Sequence, residues 1–266
     1  MGTKRKTVLS IAGSDSSGGA GIQADIKTIA AHGMYAMTVV TALTAQNTLG
    51  VHGVQEATPE FVALQMDAVF SDIPPAAVKV GMVGNGAILE TIVEKLVEHK
   101  ARNIVVDPVM VSTSGSRLLS EEAVSLLRER LLPLATLVTP NLPEASVLWG
   151  KAIRSRRDME VAAEEMAGLS GGRILLKGGH LEGDCDDLLH ADGGFRWFPQ
   201  VRVDNPNTHG TGCTLSTAIA CGLGEGLKLQ EAVLRAKVYV TGALQAGLDL
   251  GRGSGPLDHG WRQGGK

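Results

Sequence analysis

The sequence predicts an α/β protein with a mostly parallel sheet and helices on both faces. Three observations carry this reading. Short apolar runs alternate with helix-periodic stretches along nearly the whole of the 266 residues. The runs end in glycine, proline or polar residues. Hydrophobic residues make up 44% and charged residues 20%, which is ordinary for a globular core of this size. With no repeat and no low-complexity linker, one domain over 1–266 is the economical expectation.

Val8–Ala12 reads as a buried first strand, followed by the glycine-rich loop Gly13–Gly21. A helix then runs through Ile22, Ile26 and Ile29 to Gly33, placed as a C′ glycine. Met37–Leu43 is a second strand. Thr58 caps the next helix with Pro59 at its first position. Phe61, Leu64, Ala68 and Val69 are expected to face inward from it. Ala77–Val80 is a third strand, and Asn85 caps a helix through Ile88, Ile92, Leu96 and Val97. Ile104–Val106 is a strand, and Ser120 opens a helix carrying Val124, Leu127 and Leu131. Leu137–Thr139 is a strand ending in Pro140-Asn141. A helix is expected from Asp158 through Val161, Ala162 and Met166, then a strand over Arg173–Leu176. Asp187–His190 and Phe195–Pro199 flank Ala191-Asp192-Gly193-Gly194, a hairpin signal. Two helices close the chain, one from Thr211 and one from about Gln230 to Leu248.

The stretch Asn207-Thr208-His209-Gly210-Thr211-Gly212-Cys213-Thr214 sits where a loop opens the first of those helices. First-turn N–H groups and the helix dipole there favour an anion or a developing oxyanion. A cysteine in that place is expected to form a thiolate readily. The bland alternative is a glycine turn with Cys213 as a small core residue.

In parallel sheets ligands bind beyond the carboxyl ends of the strands. The unusual polar residues fall at those ends: the glycine loop, Gln46-Asn47, Gly81, Asp107, Asn141 with Glu144, and Lys177. Singly each is an ordinary cap or turn residue. Together they point to one shared site. Asp107 and Glu144 suit hydrated Mg²⁺, and Lys177 suits phosphate oxygens, which are parts of a phosphoryl-transfer site. The glycine loop lacks the Gly-Lys-Ser/Thr ending of a P-loop and does not fit the dinucleotide fingerprint.

Bulk properties exclude other classes. A net charge of −3 and 3% aromatic residues do not suit nucleic-acid binding. Three cysteines without metal-like spacing suit neither a disulfide framework nor structural zinc. The basic start is not followed by a signal-peptide core, and no apolar run is long enough to span a membrane. A cytoplasmic protein is expected.

The chain resembles the ribokinase-like kinases, and within them the hydroxymethylpyrimidine/phosphomethylpyrimidine kinases of thiamin biosynthesis. The resemblance covers nearly the whole chain. Its specific parts are Ala12–Asp25, Thr41–Thr48, Thr139–Ala145, Lys177-Gly178-Gly179-His180 and Asn207–Thr214. It implies a three-layer αβα sandwich, ATP with Mg²⁺, a pyrimidine substrate and a homodimer. It places the pyrimidine near Gly13, Asp25, Gln46 and Met82, and the metal at Asp107 and Glu144. Lys177, Thr208 and Lys237 would lie near ATP. Gly210, Thr211, Gly212 and Cys213 would form the catalytic anion hole, with Cys213 as base. Cysteine also stands at this place in some pyridoxal kinases, so pyridoxine phosphorylation is the nearest rival. A non-catalytic metabolite-binding protein on the same fold is the rival of another class.

Overall fold

The computed structural model describes residues 5–110, 120–179 and 185–262. His180 and the basic start Met1–Lys4 lie outside the described residues. Its strands and helices follow in the order β1 (Thr7–Asp15), α1 (Gly21–Ala31), β2 (Tyr35–Asn47), β3 (Gly50–Glu56), α2 (Pro59–Asp72), β4 (Ala77–Val80), α3 (Gly86–Glu98) and β5 (Ile104–Val106). Then come α4 (Glu121–Leu126), β6 (Leu137–Val138), α5 (Leu142–Trp149), α6 (Arg156–Ala167), β7 (Ile174–Leu176), β8 (Asp187–Ala191), β9 (Gly194–Phe198), α7 (Thr211–Glu225) and α8 (Leu229–Gln245).

All nine strands join one sheet in the order β3-β2-β1-β4-β5-β6-β7-β8-β9. The stretch from β2 to β7 is parallel, and β3, β8 and β9 pair antiparallel at the two edges. Adjacent strand residues turn to opposite faces. Thus Val8, Ala77, Val105, Leu137 and Leu175 enter one core with Ile29, Ile219 and Tyr239. Their neighbours Leu9, Val78, Val106, Val138 and Leu176 enter the other with Met66, Ile92 and Met159. Helices therefore cover both faces, which is the three-layer sandwich expected. Strand order reverses at the β1/β4 boundary, where the carboxyl ends of the strands leave a crevice.

Several local expectations are corrected. α2 buries Val62 and Met66, while Phe61 is 58% and Leu64 62% exposed. Its sequence is apolar around much of its circumference, so two stripes compete, and contact with β2 and α3 selects one. Val97 likewise faces out. β3 carried no periodic signal because nearly all its residues are exposed at a sheet edge. α5 was not anticipated, yet Asn141 and Glu144 form a full capping box at its start. α6 begins at Arg156, because the Ser155 hydroxyl, not Asp158, caps it.

Candidate active site

β1 continues past Gly13 to Asp15, and Asp15 organises the glycine loop behind it. Its carboxylate accepts from the N–H groups of Ser17 at 2.8 Å, Gly19 at 3.1 Å and Ala20 at 2.8 Å, and from the Ser17 hydroxyl at 2.7 Å. The His209 ring N–H donates to it at 2.8 Å. Burial alone would raise this carboxyl, but His209 and the loop donors hold it well below the usual range. The loop amides thus serve an internal carboxylate, so this loop is not a phosphate cradle.

The stretch expected to face an anion is the start of α7. Gly210 has φ of 85°, and a Cβ there would lie 1.9 Å from the Gly19 carbonyl oxygen. Only glycine lets the two loops meet so closely. A Cβ on Gly212 would come 3.2 Å from Lys177 Nζ and 3.4 Å from Asp107 Oδ2. The helix start, the cation and the carboxylate therefore converge. By helix geometry the first-turn N–H groups of Gly212 and Cys213 have no intrahelical acceptor.

Lys177 Nζ donates to Asp107 Oδ1 at 2.8 Å and stands 4.0 Å from Glu144 Oε2. Burial would lower this lysine, yet Asp107 and Glu144 raise it above its ordinary value, so it is charged. Burial pushes Glu144 up to about 7; Lys177 opposes the shift and Asp107 adds to it. Two buried carboxylates sharing one ammonium leave the cluster short of positive charge. Oxygen donors in that state fit a hard divalent cation.

One cavity joins these parts. Gly13, Gln46 and Met82 line it, as do Asp107, Glu144 and Lys177. Thr208, Gly210, Thr211, Gly212 and Cys213 lie along it. Asp25 and Lys237 are not among the lining residues. Asp25 has no exposed surface and binds Lys79 Nζ at 2.8 Å, Ser10 Oγ at 2.5 Å and Thr217 Oγ1 at 2.6 Å. The structure thus holds Asp25 in an internal ion pair and not in the cavity lining. Lys237 pairs with Asp187, which also accepts from the Gly178 N–H at 2.9 Å. Asp187 thereby links Lys237 to the Lys177-Gly178 turn, although Lys237 itself does not line the cavity.

The low thiol expected at Cys213 is also corrected. Cys213 is only partly exposed, and burial pushes its thiol up; nearby Lys79 pulls it down without offsetting that. Asp15 and His209 stand in the stretches the sequence singled out but had no role of their own there, and Lys79 and Asp187 were missed. Lys79 alone left a signal, a charge inside the apolar strand Ala77-Val78-Lys79-Val80.

Solved kinases match this architecture. The pyridoxal kinase from Staphylococcus aureus in complex with AMP-PCP and pyridoxal aligns with a TM-score of 0.90 at 33% identity, covering 99% of this chain and 97% of that one. The fold and site make this a ribokinase-like small-molecule kinase. The phosphomethylpyrimidine kinase from Clostridium difficile 630 aligns with a TM-score of 0.81 at 46% identity, covering 89% of this chain and 98% of that one. A family model described as phosphomethylpyrimidine kinase matches residues 15–258, and the chain belongs to that family. The hydroxymethylpyrimidine/phosphomethylpyrimidine kinase of Streptomyces coelicolor is 49% identical, over 97% of this chain and 95% of its own length. The thiamine biosynthesis bifunctional protein ThiED of Geobacter sulfurreducens is 51% identical over 96% of this chain, which spans 52% of that relative.

Proposed function

We propose that the chain transfers the terminal phosphoryl group of ATP to the hydroxymethyl oxygen of 4-amino-5-hydroxymethyl-2-methylpyrimidine, and then phosphorylates the resulting monophosphate to the diphosphate, a step of thiamin biosynthesis. The supporting observation is one cavity lined by a carboxamide, a lysine–carboxylate cluster and a glycine-opened helix start that adjoins that cluster.

Gln46, with both donor and acceptor groups, is placed to read the aminopyrimidine, with Gly13 and Met82 as walls. Lys177 and the Gly210–Cys213 turn face the transferring phosphoryl group, whose charge they stabilise. Thr208, another lining residue, would contact the nucleotide. Asp107 and Glu144 would hold Mg²⁺, which supplies neutralisation of phosphate oxygens when bound. Cys213, at the start of α7 and in the cavity lining, is the side chain assigned to take the alcohol proton. Its raised thiol means that this role is confined to a small ionised fraction near neutral pH.

We further propose one catalytic unit across 1–266, acting in the cytoplasm as a homodimer. Among the described residues no helix is long and apolar enough to cross a membrane. Leu43, Leu49 and Val54 are large apolar side chains left exposed at or beside the β2–β3 edge, which suits cover by a second copy. Sedimentation equilibrium tests this, and a concentration-independent monomer contradicts it.

Pyridoxine is the second reading, favoured by the close match to a kinase solved with pyridoxal bound. Comparing kcat/KM for the hydroxymethylpyrimidine and pyridoxine decides between them. Preference for the pyrimidine is expected; equal or greater use of pyridoxine contradicts the proposal.

A further inference from the structure

The glycine-rich tail after α8 has no assigned task, and among the described residues none of it lines the cavity. It nevertheless touches both walls. On one side, Arg252 N–H and Gly253 N–H both donate to Thr48 Oγ1 at 3.2 Å. Thr48 follows directly on β2, the strand that carries Gln46 into the pocket. On the other side, His209 N–H donates to the Gly255 carbonyl at 3.1 Å, and Gly255 N–H donates to Asn207 Oδ1 at 2.9 Å. Thr208 N–H donates to Ser254 Oγ at 3.3 Å, and Ser254 Oγ donates to the Pro206 carbonyl at 3.2 Å. Further on, His259 Nε2 lies 3.0 Å from Thr214 Oγ1 in the first turn of α7.

The glycines are required by these approaches. A Cβ on Gly253 would lie 2.1 Å from the Thr48 carbonyl oxygen, and one on Gly255 would lie 2.5 Å from Asn207 Oδ1. Gly251 has φ of 91°, and its Cβ would lie 2.4 Å from Thr48 Oγ1. Two of these three contacts are to Thr48 and one to the Asn207–Gly210 loop, so the tail bridges both.

We propose that the tail is a strap that fixes the spacing between the Gln46 end of the pocket and the Gly210–Cys213 turn, with Thr48 and Gly255 as its positioning residues. The substrate end and the phosphoryl end belong to different elements, β2 and α7. Phosphoryl transfer needs both set at once, and a misplacement of about 1 Å can cost on the order of a hundredfold in rate. Gln46 Nε2 and His209 Nε2 already meet at 3.3 Å, and the strap adds a second connection between the two elements from outside the cavity. This rests on the proposed function only for the identity of the substrate.

Thr48→Val removes the shared acceptor at nearly constant volume, and Thr48→Ser keeps it. Gly255→Ala pushes the tail from the loop. Hydrogen exchange read by mass spectrometry on the full chain should show faster exchange at 205–210 in Thr48→Val and Gly255→Ala, with wild-type exchange in Thr48→Ser. This readout needs no substrate. In steady-state assays with ATP and the hydroxymethylpyrimidine, kcat should fall about tenfold or more in Thr48→Val and Gly255→Ala. The KM for ATP should stay within about twofold, the melting temperature should hold in Thr48→Val, and Thr48→Ser should recover kcat. Wild-type exchange at 205–210 in both Thr48→Val and Gly255→Ala overturns the strap. So does faster exchange with unchanged kcat, or a kcat loss matched by a fall in melting temperature in Thr48→Val. Failure of the pyrimidine as substrate, with faster exchange in the variants, would instead contradict the proposed function alone.

Discussion

Lys177 and Asp107 lie 70 residues apart in sequence, and the lysine Nζ donates to the carboxylate at 2.8 Å. The contact brings the ends of β7 and β5 to the start of α7, because a Cβ on Gly212 would touch both groups. Removing the lysine leaves Asp107 and Glu144 buried together without their cation. Lys177→Ala should therefore slow both phosphorylation steps by roughly a hundredfold or more, the scale of losing one charge-stabilising donor. Single-turnover rates with alcohol and monophosphate check this; a loss in one step only would contradict a shared phosphoryl site.

Glu144 gives a pH dependence of known sign. Its folded value of about 7 lies above the ordinary 4.5, so the folded protein holds a proton that the unfolded chain releases. The stabilising effect of that proton is full below about 4.5 and is lost as pH rises through about 7. Wild type should therefore lose melting temperature relative to Glu144→Gln between pH 5 and 8. Added Mg²⁺ should restore wild type at pH 8 and leave Glu144→Gln little changed. Identical melting profiles for the two proteins would contradict the buried-carboxylate assignment.

Asp25 should prove structural. It is fully buried with Lys79, and breaking a buried ion pair from one side typically costs about 3–5 kcal/mol. Asp25→Asn should lose stability on that order in urea unfolding, while the folded fraction keeps a near-wild-type KM for pyrimidine. A large rise in KM with unchanged stability would restore a direct substrate role.

The two phosphorylation steps should respond differently to Cys213. An alcohol must lose a proton during attack, whereas a phosphate monoester, with a second pKa near 6, is already ionised at pH 7. Because burial raises the thiol, the alcohol step should still be rising above pH 8 while the monophosphate step is flat. Cys213→Ala should flatten the first profile and lower that step more than the second. Equal losses and parallel profiles would make Cys213 a wall of the anion site and not a base.

The parallel strands and the cluster at their ends were legible because each carries a local signal, which the exposed edge strand β3 lacks. Asp107 follows Val105-Val106, Lys177 follows Leu175-Leu176, and both sit where a parallel sheet opens. What was hidden depends on partners distant in sequence. Asp15 and His209 are 194 residues apart, and nothing near either announces the other. Asp25 lies close to pocket residues in sequence, but the turn of α1 buries it against Lys79. The lowered thiol expected from the helix start failed for a related reason. Dipole effects are local and readable, whereas the burial that outweighs them is set by the packed structure. Phe61 and Leu64 show the same limit, since only the contacts of α2 decide which apolar stripe turns inward.

The two-step reaction itself is tested most directly by following phosphorus resonances in one reaction of the purified chain with ATP, Mg²⁺ and 4-amino-5-hydroxymethyl-2-methylpyrimidine. The monophosphate should appear first and then be consumed as a diphosphate accumulates, with about two ADP formed per pyrimidine by the chemistry of two successive transfers. A monophosphate that persists with ATP in excess, or ATP turnover that ignores the pyrimidine, would contradict the account.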